Sequence, residues 1–174
     1  MTRIAPVWLT VPSTRAVMAA LAPARPLFVG GCVRDALMGR DSEDIDIAVA
    51  SPPADTQNLA EGAGLNAVPT GVEHGVVTVI ADGAPFEVAT LRRDVATDGR
   101  RAVVAFTDQI GEDAARRDFT MNALYASSDG AVLDPLGEGL ADLKARRLRF
   151  IGDAELRIRE DYLRILRFFR FHAQ

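Results

Sequence analysis

Short apolar runs alternate with helical periodicities along most of the chain, the pattern of an α/β protein with short connections. Positions 1–12 are mixed, hold Pro6 and Pro12, and read as a lead-in segment. Val17, Met18 and Leu21 form a helical stripe, which predicts a helix over 13–21 with Ser13 as its cap and Pro23 and Pro26 beyond its end. The run at 27–29 predicts a short buried strand, and 33–38 a short helix stopped at Gly39. After the polar stretch 40–43 comes a second strand over 44–49. Ser51-Pro52-Pro53 then opens a helix to about Gly62, with proline in its first turn. A strand over 65–69 and a loop over 71–75 precede a β-branched strand at 76–81. Asp82-Gly83 signals a hairpin turn into a partner strand over 86–91.

The stretch 92–101 is charged, holds a glycine and has little apolar content, so a mobile loop is expected there. Thr107 or Asp108 caps a predicted helix to about Arg116, and 118–127 reads as a helical turn leading into a strand. Gly130 marks a turn before a strand over 131–133, a helix follows over 140–145, and a last short strand over 147–151. From 153 to 171 a single long helix is predicted, with Tyr162, Ile165, Leu166 and Phe169 as one stripe. Leu163, Phe168 and Phe171 lie outside that stripe, so more than one side of the helix needs cover. A longer protein, of which this is the first part, is therefore expected. The alternation gives an α+β domain with a mixed, mostly antiparallel sheet, expected over 1–151, and the start of a helical segment over 152–174.

Length and composition leave this picture standing. A chain of 174 residues, 48% apolar and 25% charged, suits one domain or one domain and the beginning of another. A net charge of −4 argues against a uniformly basic nucleic-acid coat. The charge is nevertheless polarised, because arginines crowd the region 144–170. One cysteine, Cys32, excludes an internal disulfide and fits a reducing, cytoplasmic setting. Two histidines far apart in sequence make a zinc site a poor expectation, and neither a signal peptide nor a membrane span is apparent.

The chemistry concentrates where the first two strands end. Gly30-Gly31 follows an apolar run and precedes a helix, so the backbone can approach a ligand and offer free N–H groups to an anion. Asp44 and Asp46, two apart in a strand, face the same way while Ile45 and Ile47 face a core. Two carboxylates side by side repel each other unless a cation joins them, and Mg²⁺ takes one or two carboxylates plus substrate phosphates. Glu87 sits in an apolar strand, where a lone acid is costly unless partnered. Arg34 offers a fork suited to phosphate, with Asp35 beside it as a salt-bridge partner. Arg116-Arg117-Asp118 with Asn122 suits triphosphate and ribose contacts, and equally a solvated helix end. Asp161 and Arg164, three apart on the expected long helix, share a face; an intrahelical ion pair accounts for them on physical grounds alone.

Gly30-Gly31-x-Val33-Arg34-Asp35 with Asp44-x-Asp46 resembles the polymerase-β-like nucleotidyltransferase superfamily. More narrowly, the chain resembles class II tRNA nucleotidyltransferases (CCA-adding enzymes) and the related bacterial poly(A) polymerases. Arg116-Arg117-Asp118-Phe119-Thr120-Met121-Asn122-Ala123 and 160–171 match the same family in the same order. The resemblance implies a two-ion Mg²⁺ site on Asp44, Asp46 and Glu87, the last within a pattern like Glu-x-x-Thr-x-Arg. It implies nucleotide contacts from Gly30, Gly31, Arg34, Asp35, Arg117, Asp118 and Asn122, with Asp161 and Arg164 reading the base and Arg167 adding positive charge to the nucleotide site. CTP and ATP would be the substrates, and a tRNA or other RNA 3′ end the acceptor. Poly(A) addition, a non-catalytic nucleotide-binding module and a small-molecule nucleotidyltransferase are the alternatives. The intact Asp44/Asp46 pair argues against the second of these, and the 160–170 motif against the third.

Overall fold

The computed structural model of the chain describes residues 2–98 and 101–173. A mixed seven-stranded sheet forms the framework. Its strands are β1 (Leu27–Val29), β2 (Asp46–Val49), β3 (Asn66–Gly71), β4 (Val76–Ala81), β5 (Ala84–Thr90), β8 (Tyr125–Ala126) and β9 (Val132–Leu133). They lie in the order β3-β4-β5-β2-β1-β8-β9, and only the β2–β5 pair is parallel. A separate hairpin pairs β6 (Arg92–Asp98) with β7 (Arg101–Phe106). The helices are α1 (Pro12–Ala20), α2 (Gly31–Leu37), α3 (Pro53–Gly62), α4 (Ile110–Ala115), α5 (Gly139–Lys144), α6 (Ala154–Glu160) and α7 (Leu163–His172).

Strand alternation sorts the core into two layers. Phe28, Ile47, Val49, Val77, Val79 and Val88 are buried in one cluster with Val17, Met18 and Leu21 of α1, Cys32 and Val33 of α2 and Ala60 of α3. Their neighbours one residue along, Val29 and Ala48, belong to a second cluster with Leu91, Ala114, Tyr125 and Ile151. Asp46 lies two residues before Ala48 and so points to this second side. In the parallel ladder Glu87 pairs with Asp46, which puts both acids on that side.

Several expected elements change in the folded chain. The helix at 13–21 starts at Pro12, and Ser13 is buried inside it rather than capping it; proline pre-sets φ at the first position and needs no donor there. Most of the stretch 92–101, expected as a mobile loop, is strand: 92–98 forms β6, which pairs with β7 from 101 on, and positions 99 and 100 lie outside the described residues. Its polar composition fits a two-stranded ribbon set apart from the main sheet, which has no need of a buried face. No strand forms over 147–151; a single bridge joins Phe119 to Phe150. α4 starts at Ile110 and gains no side-chain cap from Thr107 or Asp108, although the Thr107 hydroxyl accepts from the Gln109 N–H.

The long terminal helix breaks in two. Asp161 is extended (φ −155°, ψ 107°), and its carboxylate accepts from the Leu163 N–H at 2.9 Å. Such a local side-chain bond competes with the helix ladder. Asp161 and Arg164 therefore do not share one helix. α7 meets the rest of the protein through rings: Phe119 packs against Phe150, Phe168 and Phe171, with centroids 4.8, 6.2 and 5.7 Å away. The expected stripe is the outward side, with Tyr162, Leu166 and Phe169 all more than 60% exposed. No helix among the described residues is long and apolar enough to cross a membrane.

Candidate active site

At the end of β1 the chain turns into α2 through Gly30, whose φ of 74° and ψ of −122° suit only a residue without a Cβ. A Cβ there would lie 3.5 Å from Arg117 Nη1, so this guanidinium stands directly over the turn. The turn opens a cleft of about 710 Å³. Gly30, Gly31, Arg34, Asp35, Asp44, Asp46, Arg117, Asp118, Asn122, Asp161, Arg164 and Arg167 all line it. Glu87 alone among the expected site residues does not; it is exposed on β5 beside Asp46.

A chain of polar contacts runs along the cleft. Arg34 donates through Nε and Nη2 to the two oxygens of Asp35 (2.9 and 2.8 Å) and through Nη1 to Asn122 Oδ1 (2.7 Å). Asn122 Nδ2 donates to Asp118 Oδ1, and Arg167 Nε donates to Asp118 Oδ2 at 2.6 Å. Arg34 and Arg167 also lie 5.0 and 5.5 Å from the centre of the Phe171 ring. Three of Arg34's five donors are thus committed inside the protein. Asp118 and Asn122 are buried and tie the cleft together. Arg164 donates through Nη1 to Glu160 and to the Arg157 carbonyl, both at 2.6 Å.

The poly A polymerase head domain family matches residues 27–149, the stretch from β1 through the end of the head's polar network. The chain belongs to this family. It is 46% identical over 146 residues to the zebrafish mitochondrial CCA tRNA nucleotidyltransferase 1, covering 83% of this chain and 34% of that protein. It is 47% identical over 148 residues to a CCA-adding enzyme of Streptococcus pyogenes, covering 84% and 36%. The Bacillus stearothermophilus CCA-adding enzyme, solved in complex with CTP, superimposes with a TM-score of 0.80 at 35% identity, over 93% of this chain and 39% of that one. A tRNA nucleotidyltransferase solved with a primer tRNA and an incoming ATP analog gives 0.70 at 32% identity, over 89% and 44%. The chain spans about a third of the length of the curated relatives it matches.

In this head domain the acids are held where repulsion is felt. Burial raises the Asp46 carboxyl above the usual range, Glu87 and Asp44 add to the rise, and Arg117 offsets part of it. Carboxylate oxygens are the donors that Mg²⁺ prefers, and Asp44, Asp46 and Glu87 offer no others. Among the described residues, no three acids, histidines or cysteines converge closely enough to hold an ion by themselves. Asp44 and Asp46 border the cleft, and Glu87 lies beside Asp46 outside it. Cys32 is enclosed beneath α2, and burial pushes its thiol up to about 11, so it behaves as a core residue.

Arg92, Arg116, Arg170 and Ser42 line the same cleft; Arg116 belongs to the arginine pair suited to triphosphate and Arg92 ends the Glu-x-x-Thr-x-Arg pattern, while Arg170 and Ser42 receive no site role from the sequence. Asp113 and Tyr125, which stand behind the cleft, receive none either. Arg170 looks like an ordinary surface charge until α7 brings it in. Asp113 carried a usable signal: it precedes Arg116 and Arg117 by three and four residues, the helical spacing for ion pairs.

Proposed function

We propose that this chain is the catalytic head of a template-independent RNA nucleotidyltransferase. It would transfer CMP and AMP from CTP and ATP to the 3′ end of tRNA and release pyrophosphate. The observation that carries the reading is one cleft bordered by the Gly30 turn, the Asp44/Asp46 pair and the arginines at 34, 92, 116, 117, 164, 167 and 170. Asp44 and Asp46 would hold Mg²⁺, with Glu87 as a third carboxylate; the chemistry such ions would supply when bound is a lowered pKa at the 3′-hydroxyl and charge neutralisation at the pyrophosphate. The N–H groups at the start of α2 and the Arg117 guanidinium would receive the triphosphate. Arg34 would act chiefly as a strut, with Asp35, Asn122 and Asp118 keeping the far wall in place. Asp161, Arg164 and Arg167 would meet the base, Arg164 through its Nε and Nη2 donors while Nη1 stays on Glu160 and the Arg157 carbonyl. We take 1–151 as the head and 152–174 as the start of a nucleobase-reading neck. The single cysteine and the likeness to bacterial enzymes support a cytoplasmic setting.

The test is incorporation of labelled CTP and ATP, separately and together, into tRNA lacking its 3′ end. CTP entering first and ATP only after it supports the reading. Repeated entry of ATP alone replaces it with poly(A) addition, the reading that the family's own description favours. Entry of neither, with wild-type chain that binds triphosphate, removes catalysis by this head alone.

A further inference from the structure

Asp113 is 1% exposed, does not border the cleft, and yet holds much of its cationic wall. Its Oδ1 accepts from Arg116 Nε and Nη2 at 2.9 and 2.7 Å and from the Arg92 N–H at 3.2 Å. Its Oδ2 accepts from Arg117 Nε and Nη2 at 3.1 and 2.9 Å and from the Tyr125 hydroxyl at 2.6 Å. Tyr125 is fully buried and itself accepts from Arg117 Nε at 3.2 Å. Two guanidinium forks are thus set by one carboxylate, and Arg117 is left with Nη1 over the Gly30 turn.

We propose that Asp113 is the positioning residue for phosphate binding in this cleft, holding Arg116 and Arg117 toward the triphosphate and keeping Arg117 from collapsing onto Asp46. The proposal rests on the triphosphate reading above. Two carboxylates compete for Arg117: Asp113, which it touches, and Asp46, which lies close enough to be influenced by its charge. Without Asp113 the released guanidinium is drawn to Asp46, and both the anion site and the acid pair lose their free groups. Tyr125 supports the arrangement by bonding the same oxygen that Arg117 uses, which leaves that carboxylate little freedom to turn.

The sign of the effect makes the test discriminating. Removing a negative charge beside an anion site should by itself tighten anion binding. Loss of orientation should weaken it. The measurement is calorimetric binding of inorganic tripolyphosphate, without metal, to the 174-residue chain and its variants. Asp113→Asn is expected to weaken binding about tenfold, the scale of one lost charge-assisted bond. In an Arg116→Ala/Arg117→Ala background the same change should cost less than roughly threefold, because its effect runs through the two missing side chains. Equal weakening in both backgrounds would mean general damage to the fold and overturn the proposal, as would unchanged or tighter binding in Asp113→Asn. Should Asp113→Asn fail to fold, Asp113→Glu carries the test: it keeps the charge but displaces both forks, and wild-type affinity in that variant overturns the proposal. Nucleotide addition failing while these affinities behave as stated removes the proposed reaction and leaves this inference standing. A wild-type chain that binds no tripolyphosphate removes the phosphate assignment and this inference together.

Discussion

Gly30 and Gly31 are adjacent, yet replacing each by alanine should move stability in opposite directions. At Gly30 the space is sufficient: a Cβ would meet Arg117 Nη1 at 3.5 Å and the Asn122 carbonyl at 3.8 Å, ordinary contact distances. The cost is in the backbone, because φ of 74° with ψ of −122° is a region that side chains avoid. Strain of that kind costs about 1–3 kcal/mol. Relaxing it would disturb two bonds, from Gly30 N–H to the Leu124 carbonyl (3.1 Å) and from Arg34 N–H to the Gly30 carbonyl (3.0 Å). These tie the turn to the segment before β8 and to the first turn of α2, so relaxation offers little relief. Gly31 lies inside α2, and the nearest atom to its would-be Cβ is Arg34 Nη2 at 4.0 Å. Alanine there removes freedom from the unfolded chain and should stabilise by about 0.4–1 kcal/mol. Urea unfolding of both variants checks the pair. Gly30→Ala should lower the melting temperature by about 2–4 °C per kcal/mol for a chain of this size. Equal stabilities for the two variants, or a Gly30→Ala protein as stable as the parent, would refute the reasoning.

Two further outcomes are expected. Burial would raise the Asp113 carboxyl, but Arg117 and Arg116 overcome it and hold it down at about 2. Because the folded value lies below the unfolded one, this group's stabilisation is fully present above about pH 4. It is lost as pH falls toward 2, and amounts to about 2 kcal/mol. Urea midpoints from pH 5 to 2 should fall less steeply in Asp113→Asn than in the parent, and parallel curves would contradict the assignment. Phe119→Ala removes a fully buried ring shared with Phe150, Phe168 and Phe171, and should cost about 3–5 kcal/mol. Hydrogen exchange should then show α7 losing protection before the main sheet; uniform loss across both would show that the rings do not dock α7.

Local chemistry was enough for much of this protein. The hairpin at Asp82-Gly83 forms as the dipeptide predicts, with both residues at positive φ. Pro53 opens α3, and β1, β4 and α3 fall where their apolar runs place them. The Gly30-Gly31 turn could be identified because backbone freedom is a local property; the strand expected over 44–49 begins only at Asp46, so Asp44 lies outside β2 and the cleft rather than strand alternation brings it beside Asp46. The 92–101 ribbon could not be recognised, because its strands pair only with each other and carry no apolar alternation. The break at Asp161 also escaped notice: helical periodicity continues on both sides of it, while the Asx bond that interrupts it depends on one rotamer.

The sequence by itself determined the mixed sheet, the glycine turn and the presence of acids near it, since these follow from side-chain period and residue type. Only the tertiary structure decided which charges are partnered. It assigned Arg34 to Asp35 and Asn122, Arg167 to Asp118, and both Arg116 and Arg117 to Asp113. It also set Glu87 beside Asp46 but outside the cleft. The reason is physical: a guanidinium can reach any of several carboxylates, and residues far apart in the chain settle the choice by how they pack, which no spacing along the sequence records.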